Sequence, residues 1–166
     1  MYAIGEKVVY GALGLMEVVD IANQTVGDVT RKYYVLKEYN SQSSFLTYVP
    51  LDNEELVSQI KPLLTREEIF DAVRTAKASP LIDWVEENRA RSEMYKNILA
   101  SADRAKILSM IQTVYMTRIR RESDGKRNFV ADENIMKRAE RLIALEFSLV
   151  LGISEDELHS FIVSVS

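Results

Sequence analysis

The sequence predicts an α+β fold: a small N-terminal antiparallel β domain over residues 1–60, followed by an all-α helical C-terminal domain over residues 61–166. Two observations predict this division. Runs of β-branched and aromatic residues, separated by turn residues, fill the first fifty positions. After Pro50 the spacing of apolar residues changes from two to about 3.6, the period of an α-helix. The boundary is therefore expected between Pro50 and Thr65.

The N-terminal strands are expected to be short and antiparallel. Turn-forming residues such as Asn23, Gly27 and Asp28 lie between the apolar runs. Four or more such strands within fifty residues indicate a small, strongly bent sheet or partial barrel of the Tudor/SH3-like kind. The predicted strands are residues 7–10, 15–21, 31–37 and 44–50.

The helical part begins and ends with capping boxes at 65–68 and 154–157, patterns in which a hydroxyl and a Glu side chain bind backbone N–H groups at a helix start. Ser79-Pro80 is predicted to interrupt the chain after the first helix. A second helix is expected from about Asp83, with Trp84 on it.

Two longer helices are predicted in the middle of this part. Asp103 can cap the first, which the turn at 123–125 ends. Asp132 can cap the second, which ends at Gly152 because glycine accepts the left-handed conformation of a helix C-terminus.

Composition limits the classes of function. The chain carries a net charge of −4, has no Cys, and opens with no secretory leader or apolar membrane segment. A cytoplasmic protein without membrane contact is therefore expected. Residues 81–131 nevertheless contain ten Lys/Arg and seven Asp/Glu, a net charge of +3. Such a local basic surface on an acidic protein favours weak, assisted contact with phosphate groups.

Catalytic patterns are largely missing from the sequence. His159 is the one histidine, so it has no second His or Cys with which to share a metal or a triad. Gly11 and Gly14 are better explained as turn glycines than as a phosphate loop, because a strand follows them. We therefore expect no enzyme activity, no cofactor, no metal and no small-molecule substrate. An enzyme whose site has no known motif stays as an alternative.

Trp84 and the basic residues around it are the candidates for nucleic-acid contact. A lone Trp is usually a core residue, and cations at a helix C-terminus are favoured whatever the function. The functional alternative is an aromatic wedge against bases, flanked by cations that bind phosphates. The candidate DNA-binding residues are Trp84, Arg89, Arg91, Lys96, Arg118, Arg121, Lys126 and Arg127.

These features resemble the CarD family of bacterial transcription regulators, and the resemblance covers nearly the whole chain. The N-terminal part is similar to the polymerase-interacting domain that CarD proteins share with the bacterial transcription-repair coupling factor. The helical part resembles the CarD C-terminal domain. The segments that carry the resemblance are residues 1–10, Gly14, 32–36, 49–50, the early Trp84, the 99–103 junction and the helix through 137–140.

The resemblance implies a mechanism in which the N-terminal domain binds the β subunit of RNA polymerase by adding a strand edge. The Trp then wedges into the minor groove of promoter DNA at the upstream edge of the bubble and slows its collapse. It implies polymerase contacts by Gln24, Leu46 and Tyr48.

The sequence departs from the family pattern in three respects. Positions where known members place polymerase-contacting arginines fall on Gln24 and Tyr48, and residues 11–13 replace a Pro-His pair. Trp84 lies about one helical turn further from the Asp103 junction than in known members. The altered segment 11–13 and the acidic net charge make an interaction-only polymerase adaptor that does not contact DNA the alternative function.

Overall fold

The chain divides into two compact units, Met1–Leu63 and Leu64–Ser166. We analysed a computed structural model, which describes residues 1–79 and 81–165. The first unit contains an antiparallel sheet and the second contains helices, which confirms the predicted α+β class. The predicted interruption at Pro80 lies outside the described residues.

The N-terminal unit is built on a five-stranded antiparallel sheet with the strand order β4-β3-β2-β1-β5. One short helix, α1, lies between the last two strands, and a 3-10 turn at Gly11–Leu13 joins the first two. The elements are β1 (Lys7–Tyr10), β2 (Gly14–Val26), β3 (Val29–Glu38), β4 (Leu46–Pro50), α1 (Glu54–Ser58) and β5 (Ile60–Pro62).

The β2–β3 hairpin is longer than the sequence predicted. Its two-residue turn is Gly27-Asp28, and Gly27 has a φ of +64°, a conformation that glycine adopts without strain. The register shifts between Val18 and Asp20, a bulge that bends β2. The half of the hairpin next to its turn, residues 23–32, is exposed, and buried residues occur only in the half away from the turn.

One face of this sheet forms the core of the N-terminal unit. Tyr2 packs against this core. Its hydroxyl donates a hydrogen bond to the carbonyl oxygen of Ile60 at 2.9 Å, and its ring contacts the Tyr34 ring edge to face. The buried residues of this core are Val8, Met16, Val18, Tyr34, Leu36, Val49 and Ile60.

The described residues of the helical unit form five helices: α2 (Arg66–Ala78), α3 (Asn88–Ser101), α4 (Arg104–Ser123), α5 (Val130–Leu151) and α6 (Glu155–Ser164). Both predicted capping boxes are present, at Thr65 and Ser154. Asp103 caps α4, and Gly152 ends α5 with a φ of +69°. No helix of the described residues is long and apolar enough to cross a membrane.

Two of the predicted helix starts are wrong. The helix expected from Asp83 begins at Asn88, because the Glu87 carboxylate accepts the backbone N–H groups of Arg89 and Ala90 and caps it there. These two hydrogen bonds favour the ionised carboxylate and lower the pKa of Glu87.

Asp132 does not cap α5 either. Phe129 is the N-cap residue, and Asp132 lies in the first helical turn with its side chain buried.

A buried ion pair joins α4 to α5. The Arg104 guanidinium donates to both carboxylate oxygens of Glu146, the shortest contact being 2.7 Å from Nη2 to Oε2. Both side chains are almost fully buried. Arg104 therefore contributes to the packing of the helical unit rather than to its basic surface.

Candidate nucleic-acid and protein-binding surfaces

Trp84 lies in the irregular segment before α3 and is partly buried against Phe129. The two ring centroids are 6.0 Å apart and the ring planes differ by 33°. The Arg91 guanidinium contacts both rings, with its Cζ atom 4.2 Å from the Trp84 centroid and 4.3 Å from the Phe129 centroid. Cation–π contacts that are shielded from water stabilise this arrangement. Trp84 is therefore held in a defined orientation at the surface of the helical unit.

Arg91, predicted as a DNA-binding residue, is buried in this conformation, so its guanidinium is not available at the surface. Its side chain is 1% exposed, and its Nε donates to Asp132 Oδ2 at 2.8 Å. The burial could not be predicted because the carboxylate that compensates the charge is 41 residues away in the chain. The remaining nitrogens of Arg91 also have partners, namely the carbonyl oxygens of Val85 and Glu86 and Oδ1 of Asn88.

A small pocket opens beside Trp84, and two other predicted residues line it, Arg118 and Arg121. The Arg121 guanidinium packs on the Phe129 ring at 4.1 Å and donates two hydrogen bonds to the carbonyl oxygen of Arg127. Arg118 is about a third exposed, with its Nε 3.9 Å from Glu133 Oε1. The structure thus brings Trp84 and the end of α4 together.

The other predicted cations are exposed. Lys126 and Arg127 lie in the loop after α4, next to the carbonyl group that Arg121 binds. Arg89 is exposed in the first turn of α3. Lys96 is also exposed on α3 but is not among the described residues that line the pocket.

Several residues of the pocket were missed by the sequence analysis. Phe129 was detectable, because an aromatic residue next to a basic loop is typical of nucleic-acid contact. From the sequence, Asp132 is predicted only as a helix cap, and Glu133 is the residue that follows it. The pocket is lined by Trp84, Val114, Thr117, Arg118, Arg121, Asn128, Phe129, Asp132 and Glu133.

The N-terminal unit presents a second candidate surface at β4, an edge of the sheet. Leu46 is 44% exposed and Tyr48 is 43% exposed, while Val49, the next residue of the strand, is buried in the core of the unit. Phe45, which the sequence analysis did not single out, is 86% exposed just before the strand. Tyr33 of β3 supports the Tyr48 ring at 6.1 Å. An edge strand with apolar side chains offers both backbone hydrogen bonds and side-chain contacts to a partner strand.

Gln24 lies in the exposed outer half of the β2–β3 hairpin. Gln24 of β2 pairs with Arg31 of β3. Arg31 is exposed, and its Nε atom lies 3.5 Å from Oδ2 of Asp52. A cationic side chain is therefore present directly opposite the position where the resemblance expects an arginine.

Residues 2–61 match the model of the CarD-like/TRCF RID domain. The N-terminal unit is therefore a domain of this class, and it fits a transcription-related protein that interacts with RNA polymerase. Over residues 2–61 the match confirms the resemblance to CarD-like proteins, which share this domain with the transcription-repair coupling factor, whereas the resemblance of the helical part stays a prediction. No curated protein matches the chain.

Proposed function

We propose that this protein is a cytoplasmic, non-catalytic transcription regulator that binds the β subunit of RNA polymerase and stabilises the promoter open complex. The observation that carries the proposal is the match of residues 2–61 to the CarD-like/TRCF RID domain. In the proposed mechanism the N-terminal unit binds the polymerase. The helical unit contacts DNA at the upstream edge of the bubble.

The β4 edge is the proposed polymerase-binding surface. Strand addition would use the backbone of β4, and the exposed side chains of Phe45, Leu46 and Tyr48 would supply apolar contacts. Gln24 belongs to the same proposed surface, with Arg31 across the ladder supplying positive charge.

Trp84 is the proposed wedge. A residue that contacts only melted DNA stabilises the melted state by its differential affinity for the two states, without any catalytic step. The surrounding cations Arg89, Arg118, Lys126 and Arg127 would bind phosphates weakly. Weak contacts suffice because the bound polymerase raises the local concentration of promoter DNA.

The polymerase contact is tested by retention of the cognate β subunit on the immobilised full chain. Leu46→Glu places a charge on the proposed interface and is expected to weaken binding about tenfold, a loss of about 1.4 kcal/mol. Ile4→Glu is the matched control, because Ile4 is also exposed in this unit but lies outside β4. Equal binding by both variants would contradict the β4 assignment, and no binding by the wild type would contradict the proposal.

The DNA contact is tested by the lifetime of the open complex on a promoter fragment. Wild-type protein is expected to lengthen the lifetime, Trp84→Ala to abolish that effect, and Trp84→Phe to keep part of it. Far-UV circular dichroism verifies that both variants stay folded. An undiminished effect of Trp84→Ala would remove Trp84 from the mechanism.

The interaction-only adaptor remains the second candidate, and the burial of Arg91 favours it because that burial removes a cation from the DNA side. An unchanged open-complex lifetime together with wild-type binding to the β subunit would select this function.

A further inference from the structure

Residues of α2, α4, α5 and α6 line a groove of about 530 Å³ in the helical unit. Tyr115 lines this groove, whereas the neighbouring Val114 lines the pocket beside Trp84, so the two sites use different faces of α4. A groove of this size with mainly apolar walls is typical of a binding site between helices. Its apolar walls are formed by Val73, Ala76, Leu108, Ile111, Met136 and Ile162.

An exposed apolar ridge on α4 continues the wall of this groove. The ridge consists of Tyr115, Met116 and Ile119, and each of these side chains is about half exposed. Tyr115 belongs to both the groove and the ridge, and Ile119 lies one helical turn beyond it on the same side. Large apolar side chains that are exposed together indicate an interaction surface. A concave and a convex apolar surface thus adjoin on one helix.

The charges at the groove favour a protein occupant over a nucleic acid. Among the described residues that line it, Lys77 and Glu140 carry full charges, and their signs are opposite. The Lys77 amino group donates hydrogen bonds to the carbonyl oxygens of Val163 and Val165 at the end of α6. Since phosphate binding depends on cations that are free to approach the backbone, this groove does not fit DNA or RNA.

Two ion pairs fix the level of Glu140 relative to α4. Arg104 of α4 pairs with Glu146 of α5. Further along α4, Arg118 lies near Glu133 of α5, so the two helices run antiparallel. Glu140, about halfway between the two glutamates, is therefore level with the residue of α4 that is halfway between the two arginines, Ile111.

An antiparallel second copy of α4 fits this arrangement. Tyr115 is common to the ridge and the groove, so a two-fold axis beside it places Ile119 of one copy against Ile111 of the other. Arg120 is exposed directly after Ile119. It therefore comes near Glu140, which is level with Ile111, in the other copy. Each copy thus presents a ridge to the other copy's groove and a cation to its carboxylate.

We propose that the protein forms a symmetric homodimer through the groove and the ridge of α4. The same surface supplies both halves of the contact, as an interface with two-fold symmetry requires. The contact uses neither β4 nor the pocket beside Trp84, so it is separate from the proposed contacts with polymerase and DNA.

Sedimentation equilibrium of the full-length protein measures this association directly. A dimer with a dissociation constant on the order of 10 μM is expected, because a contact of one groove and one ridge is at the small end of specific interfaces. Ile119→Asp places a charge in the contact and is expected to raise the dissociation constant at least about tenfold. Leu149→Asp is the matched control, because Leu149 is similarly exposed but lies on the side of α5 opposite Glu140.

A wild type that stays monomeric up to about 300 μM, well above the expected dissociation constant, would overturn the proposal and leave the groove to a different protein. Equal dissociation constants for Ile119→Asp and Leu149→Asp would also overturn it. Far-UV circular dichroism verifies that both variants stay folded.

A charge exchange tests the two-fold arrangement itself. Arg120→Glu and Glu140→Arg each bring like charges together in the dimer, so each is expected to raise the dissociation constant about fivefold. The double variant restores opposite charges at both pairs and is expected to return to within about twofold of the wild type. A double variant that dimerises more weakly than either single variant would overturn the arrangement.

Discussion

Replacing Asp132 with alanine is expected to destabilise the helical unit by about 3 kcal/mol. The Asp132 carboxylate is 2.8 Å from Nε of Arg91, and both side chains are almost fully buried. Removing one partner of a buried ion pair costs about 3–5 kcal/mol, because the other charge stays in the interior without compensation. Arg91 would keep its hydrogen bonds to two carbonyl oxygens and to Asn88, so we expect the lower end of this range.

The free energy of unfolding is measured by urea titration, with the fluorescence of Trp84 and the helical circular dichroism as parallel signals. Glu133→Ala is the matched control, because Glu133 is the next residue and its contact with Arg118 is long and partly exposed. Its expected cost is below about 1 kcal/mol. A loss in Asp132→Ala no larger than that in Glu133→Ala would refute the reasoning.

A double-mutant cycle separates the ion pair from other effects of the substitution. Arg91→Met removes the buried charge itself and retains apolar volume beside Trp84. We expect the Arg91→Met/Asp132→Ala double variant to lose less stability than the sum of the two single variants, with a coupling of about 2 kcal/mol. Additive losses would show that the pair does not act as a unit.

Three further predictions concern other parts of the chain. Burial, helped by the nearby Asp132 carboxylate, raises the pKa of Tyr95 to about 12 from the ordinary value of 10.0. The folded state therefore disfavours the ionised Tyr95 hydroxyl. The free energy of unfolding keeps its full value below pH 10 and falls as the pH rises towards about 12. Tyr95→Phe should flatten this loss in alkaline urea titrations, whereas Tyr115→Phe, at an exposed ring, should not. Lys126→Ala and Arg127→Ala should each lower the slope of log K against log salt for single-stranded DNA by about 0.7, and unchanged slopes would exclude phosphate contacts. Thr65→Ala should reduce the free energy of unfolding by about 1 kcal/mol through loss of the α2 cap, and no measurable loss in urea titration would contradict that role of the cap.

Local signals in the sequence predicted the parts of the fold that short-range physics determines. Both capping boxes bind backbone groups only three residues away, so Thr65 and Ser154 could be read directly as helix starts. Strand β5 was missed because it has three residues and exists through its pairing with β1, some fifty residues earlier. The predicted start of α3 at Asp83 was wrong, because no local sequence signal excluded helical residues between Asp83 and Glu87.

The candidate site was less predictable, because burial and pairing in this unit depend on contacts between distant residues. Arg91 and Arg104 both counted towards the basic stretch 81–131, yet each is buried against a carboxylate of α5 that lies outside that stretch. Without these two, eight Lys/Arg face seven Asp/Glu in the same residues. The stretch 81–131 is thus nearly neutral once the two buried arginines are left out, so it does not produce a broad positive field. Independent binding to duplex DNA should therefore be weak, and under the proposed function contact with the promoter would depend on polymerase bound by the N-terminal unit.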